Sequence, residues 1–152
     1  MSYWDTSALA KLFVTESDSP LFRSRAGEGT GKLRTLEFTR LELWSVFRRK
    51  EAEEIIQRGE AKKLLADFDD DVTDGFCLLI RDSVALRRAF EDIIEKCLSQ
   101  RPPVFIRTLD ALHLAAATVA GEKEFVATDR RLRMAAALLG FALFPPDASI
   151  LP

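Results

Sequence analysis

Phe125-Val126-Ala127-Thr128-Asp129-Arg130-Arg131-Leu132 is the stretch that decides how this chain folds. A short apolar run ends in a carboxylate just where a helical pattern takes over, and Met1-Ser2-Tyr3-Trp4-Asp5 repeats the arrangement. Asp129 and Asp5 therefore stand where strands end and helices begin, which is where open α/β sheets place their ligands. Two more acids lie inside helical apolar patterns: Glu42 in Thr39-Arg40-Leu41-Glu42-Leu43-Trp44, and Asp110 in Arg107-Thr108-Leu109-Asp110-Ala111-Leu112-His113-Leu114. Carboxylates in such company are costly unless they meet a cation. The four acids read as one site drawn from distant parts of the chain.

Outward from these stretches, short apolar runs alternate with longer amphipathic ones, the pattern of an α/β layer fold with a mainly parallel sheet. Strands are expected at about residues 2–4, 33–38, 76–80, 125–128 and 141–144. Ala8, Leu9, Leu12 and Phe13 form the apolar stripe of a first helix, and Ser17-Asp18-Ser19-Pro20 restarts a second. Gly27-Glu28-Gly29-Thr30-Gly31 reads as a loop, too sparse in glycine and too far from a Gly-Lys-Ser pattern to cradle phosphate. Thr39 is the expected cap of a helix carrying Leu41, Trp44, Val46 and Phe47; Gly59 breaks its continuation toward Phe68, giving a helical hairpin after the second strand. A further helix runs from about Ser83 to Ser99 and stops before Pro102-Pro103. Gly140 ends the last helix, and Pro145-Pro146 follow the last strand.

Four segments, in order, resemble the PIN-domain family and within it the VapC-type toxins of toxin–antitoxin pairs: Tyr3-Trp4-Asp5-Thr6-Ser7-Ala8-Leu9; Glu42 with Arg48-Arg49; Arg107 to Ala117; and Val126-Ala127-Thr128-Asp129-Arg130-Arg131-Leu132. The resemblance implies a single domain over residues 1–152, a PIN-like three-layer sandwich with a short five-stranded sheet flanked by helices. It also implies hydrolysis of RNA phosphodiester bonds to leave a 5′-phosphate and a 3′-hydroxyl, inhibition by a cognate antitoxin, and a homodimer. Asp5 and Asp110 are then the principal ligands of Mg²⁺, with Mn²⁺ as a substitute, and Glu42 and Asp129 complete the cluster directly or through water. That chemistry suits the residues, because magnesium takes oxygen ligands, keeps several waters and is held by one or two carboxylates plus phosphate oxygens. Thr6 and Thr128 are candidates to position a water or ligand.

Each acid also has a structural reading. Asp5 and Asp129 are favoured helix caps, Glu42 has Arg40 and Arg49 within reach, and Asp110 falls in a first turn behind a Thr108 cap. His113, the chain's single histidine, reads as a packed core residue. Arg48-Arg49-Lys50 and Arg130-Arg131-Arg133, with Lys11 behind them, are candidate phosphate contacts; Trp4 and Trp44 read as core. The competing functions are a non-toxic PIN nuclease of RNA processing, a non-catalytic interaction module, and a haloacid dehalogenase-like phosphatase. The last needs a second aspartate two positions after the first, where this chain has Ser7.

Composition agrees with one small folded domain, at 152 residues with 47% hydrophobic and 30% charged. A net charge of -2 does not favour a generic RNA binder, so phosphate contacts must come from local clusters. Cys77 and Cys97 read as reduced packing thiols. No stretch reaches a membrane span, and no basic segment precedes an apolar one at the N-terminus, so a cytoplasmic protein is expected.

Overall fold

The computed structural model describes residues 1–28 and 31–146. Gly29 and Thr30 of the expected loop, and residues 147–152 of the expected domain, lie outside them. Five strands, β1 (Ser2–Trp4), β2 (Leu33–Leu36), β3 (Cys77–Ile80), β4 (Glu124–Val126) and β5 (Ala142–Phe144), form one sheet in the order β3-β2-β1-β4-β5. Every neighbouring pair is parallel, so the expected "mainly parallel" sheet is wholly so. The chain builds outward from β1 in one direction through β2 and β3, then returns to its other side for β4 and β5. The reversal falls between β1 and β4. Crevices at such switch points, outside the carboxyl ends of the strands, are where this architecture binds ligands.

Seven helices among the described residues cover the sheet: α1 (Thr6–Phe13), α2 (Ser19–Ala26), α3 (Thr39–Ala52), α4 (Glu60–Thr73), α5 (Val84–Leu98), α6 (Thr108–Val119) and α7 (Arg130–Leu138). Side chains alternate across a strand, and here they divide the molecule into two cores. Tyr3 and Phe125 enter a core with Leu86, Ile93 and Cys97 of α5, Leu114 to Ala117 of α6, and Leu132, Ala135 and Ala136 of α7. Their neighbours Trp4 and Val126 enter the opposite core with Leu9 of α1, Phe22 of α2, Leu43 and Phe47 of α3, and Leu64 and Phe68 of α4. The result is the expected three-layer sandwich, with α3 and α4 as the hairpin after β2. Cys77 and Cys97 are free and buried in different cores, on opposite faces of the sheet.

Local signals account for several boundaries. Ser83 caps α5 through its hydroxyl, which accepts from Leu86 N. Gly59 precedes α4 at φ 89°, a left-handed conformation that favours glycine. Two expected caps are not made. Thr39 lies inside α3 and its buried hydroxyl bonds the Thr35 hydroxyl at 2.7 Å, because β2 ends at Leu36 and Phe38 occupies the cap position. Thr108 is the first residue of α6, behind Arg107, and no side chain caps that helix. No helix among the described residues is long and apolar enough to cross a membrane.

Candidate active site

The carboxyl ends of β1 and β4 adjoin, and Asp5 extends their pairing by donating its backbone N–H to Val126 O at 3.0 Å. Its side chain turns back to cap α1. Oδ1 accepts from Ala8 N at 3.0 Å, and the Ser7 hydroxyl lies 2.9 and 2.8 Å from the two carboxylate oxygens. At 5% exposure the cost of burial dominates and pushes the Asp5 carboxyl up to about 6, although nearby His113 and the hydrogen bonds from Ala8 and Ser7 pull it down. Ser7 also accepts from the Thr128 hydroxyl at 2.7 Å and from Thr128 N at 3.2 Å. One hydroxyl thus ties the segment after β4 to the acid after β1. Thr128, expected to orient a water or ligand, spends its hydroxyl on this relay.

Asp129 follows at once and caps α7, its Oδ1 accepting from Arg131 N at 2.9 Å and Leu132 N at 3.0 Å. Both strand-end aspartates are therefore caps, as their bland reading held, and being caps fixes them at the switch point.

Glu42 comes in from the first turn of α3 and pairs with neither Arg40 nor Arg49. Its Oε2 accepts from the Thr6 hydroxyl at 2.5 Å and lies 2.8 Å from His113 Nε2. Burial alone would raise its carboxyl, but His113 and Thr6 outweigh burial and hold it below the usual range. The Thr6 hydroxyl is thereby committed to Glu42. His113 is buried at 2% exposure, as its core reading requires, yet it joins three elements: Nδ1 lies 2.8 Å from the Tyr3 hydroxyl on β1 while Nε2 meets Glu42. Burial, then the charge of Asp5, push the Tyr3 phenol well above its ordinary value, so it stays protonated. A carboxylate only accepts; in the neutral ring Nε2–H therefore points at Glu42, and Nδ1 accepts from Tyr3.

Asp110, one turn before His113 on α6, is half-buried, and no described residue donates a hydrogen bond to it. Burial and then Asp129 raise its carboxyl, Arg107 and His113 oppose them, and Glu42 adds to the rise. Here is the bare acid of the group, facing like charges.

The basic candidates separate. Lys11 is buried, 2.6 Å from Glu16 and 2.7 Å from Asp18. Arg133 is buried too, its guanidinium donating to the carbonyls of Ala127, Phe144 and Pro145. Neither can reach RNA. Lys50 pairs with Glu16, and Arg48 pairs with Glu51 while lying 5.6 Å over the Trp44 ring. Arg49, Arg130 and Arg131 stay exposed, without an ion pair to any described residue. Trp4 is fully buried, its indole N–H on Ser2 Oγ, and belongs to the core.

Sequence reading missed Ser7 and undervalued His113. The first had a signal, a hydroxyl two residues past a capping aspartate; the second had none, since its partners lie 71 and 110 residues away. Replacing Ser7 by Ala should cost about 1–3 kcal/mol, because the Thr128 hydroxyl loses its acceptor and Asp5 a donor. Urea unfolding measures this, and a loss of only a few tenths would mean that the relay carries no stability.

Among the described residues, no group of three or more His, Cys, Asp or Glu side chains is arranged to hold a metal ion. No closed protein cage is therefore present among the described residues. That leaves room for a hard cation of the magnesium kind, which needs only one or two carboxylates beside water and substrate oxygens. Asp110, without a hydrogen-bond donor among the described residues and raised by burial and then by Asp129, has the donor chemistry such a cation requires.

A PIN domain family model matches residues 2–138. No curated protein is matched by the chain. PIN domains are generally nucleases and typically bind divalent metal ions. With the match running from the first strand through α7, and the all-parallel sheet carrying its acids at the switch point, the chain belongs to the PIN domain family.

Proposed function

We propose that this protein is a Mg²⁺-dependent endoribonuclease, with Mn²⁺ able to substitute, and the toxin of a toxin–antitoxin pair. It acts in the cytoplasm as a homodimer and is silenced by a cognate antitoxin. The observation that carries the reading is Asp110: a half-buried carboxylate without a hydrogen-bond donor among the described residues, raised first by burial and then by Asp129, beside the β1–β4 crevice. A cation bound beside such a group would favour its charged form.

Asp5 and Asp110 are the ligands in this reading, with Glu42 and Asp129 joining directly or through water. A bound divalent ion would lower the pKa of its water and neutralise charge on the phosphate and the leaving oxygen. The protein's own part is orientation. Ser7 and Ala8 N hold the Asp5 carboxylate in one direction, and Thr6 and His113 do so for Glu42. Arg130 and Arg131, exposed behind Asp129, are free to bind the phosphates that flank the cleaved bond. Attack of water on phosphorus breaks the P–O3′ bond and leaves a 5′-phosphate and a 3′-hydroxyl.

Expression in a bacterial host should arrest growth, and co-expression of the small reading frame beside this gene should restore it. The purified protein should cut single-stranded RNA to 5′-phosphorylated fragments. Cleavage without growth arrest, and without binding to the neighbouring product, would favour a processing nuclease; no cleavage at all would sink the enzyme reading.

A further inference from the structure

Between α5 and α6 the chain runs Arg101-Pro102-Pro103-Val104-Phe105-Ile106-Arg107, bent at Arg101 and Pro102 and outside any helix or strand thereafter. Val104 N donates to Cys97 O at 2.9 Å, and Val104 and Ile106 both pack on the core beneath the sheet. Phe105 stands between those two anchors and is exposed, at 78%. With Pro102, Pro103, Val104, Arg131 and the exposed Met134 of α7, it lines an open cavity of about 410 Å³.

Two features fix what this cavity fits. It adjoins the acids on both arms: Phe105 lies on the segment leading into Asp110, and the backbone N–H of Arg131 rests on the Asp129 carboxylate. In a chain of net charge -2, Arg131 lines this cavity and Arg107 follows two residues after Phe105, both exposed and without an ion pair to a described residue. An exposed aromatic face with unpaired guanidinium groups beside it matches a nucleotide, the base on the ring and the phosphate on the cation.

We propose that Phe105, with Met134 and Arg131, is a stacking platform for an unpaired base of single-stranded RNA close to the cleaved phosphate. The inference rests on the nuclease reading and adds to it the residue that grips the single strand. A duplex keeps its bases stacked on one another and offers no free face to Phe105 except at its ends, so the platform selects single strands.

The test is equilibrium binding, in Mg²⁺, of a fluorescently labelled single-stranded RNA and of a blunt duplex of the same sequence. Full-length protein carrying Asp5→Asn is used so that the strand survives. Adding Phe105→Ala should weaken single-strand binding by about 5- to 100-fold and leave duplex binding unchanged, and Phe105→Trp should restore the single strand. Because Phe105 is exposed, folding is not at risk, and circular dichroism verifies this. Equal single-strand affinity with and without Phe105 overturns the proposal. So does an equal loss for both nucleic acids, and so does a change in sedimentation with RNA affinity intact, which would make the patch an interface between copies. The two readings fail separately: residual cutting by Asp5→Asn strikes at the carboxylate site, whereas equal affinities strike at Phe105.

Discussion

Asp5→Asn and Asp110→Asn should each lower RNA cleavage in Mg²⁺ or Mn²⁺ by at least about a hundredfold, the scale on which enzymes lose activity when one preorganised electrostatic contact is removed. The fold should survive both changes. Asparagine keeps an oxygen that can accept from Ala8 N, so the cap on α1 is retained. At Asp110 no hydrogen bond from a described residue is lost. What disappears in each case is a negative charge that favours cation binding, so the defect should appear as a raised metal requirement as well as a slower reaction. Cleavage that resists chelator, or full activity in both variants, would sink the assignment.

In chelator, the stability difference between Asp5→Asn and the unaltered protein should grow in favour of the variant by about 2 kcal/mol as pH rises from about 4 to about 7. The Asp5 carboxyl ionises near 3.8 in the unfolded chain and at about 6 in the folded one. Between those values the folded state holds a proton that the unfolded state has released, so raising the pH destabilises the fold; above about 6 the penalty is constant. Asp110 is raised as well and tilts the parent curve the same way, whereas Glu42 is lowered and tilts it back. Subtracting the variant's curve isolates Asp5. Divalent metal should offset the penalty in the parent protein, by about 2.7 kcal/mol at a hundredfold excess over Kd, and by less in the variant. Denaturant unfolding across the pH range reads both effects. A pH-independent difference would mean that Asp5 ionises in the fold as it does in water.

The strand-end acids were legible because their signals are local: an apolar run, a carboxylate, then a helical period. Ser83, Gly59 and Gly140 marked helix ends for the same reason. Strand order was out of reach, since nothing within β1 says that β2 and β4 lie on its two sides. The buried cations were missed on similar grounds. Lys11 and Arg133 read as candidate phosphate contacts until Asp18 and the carbonyls of Phe144 and Pro145 arrive from elsewhere in the fold. Thr39 shows the converse, a favourable cap residue diverted by a tertiary partner, Thr35, that local propensity cannot see.

β1 is three residues long and sends Tyr3 and Trp4 into different cores before delivering Asp5. Substitutions within it trade one side chain for another, but inserting a residue between Ser2 and Asp5 would turn an aromatic to the wrong face or carry the acid off the crevice, and deleting one there would remove Tyr3 or Trp4 itself. In a mutational scan this stretch should therefore tolerate conservative replacement and reject every change of length. An aligner that opens a gap there to gain matches elsewhere would be trading away the feature that sets the site.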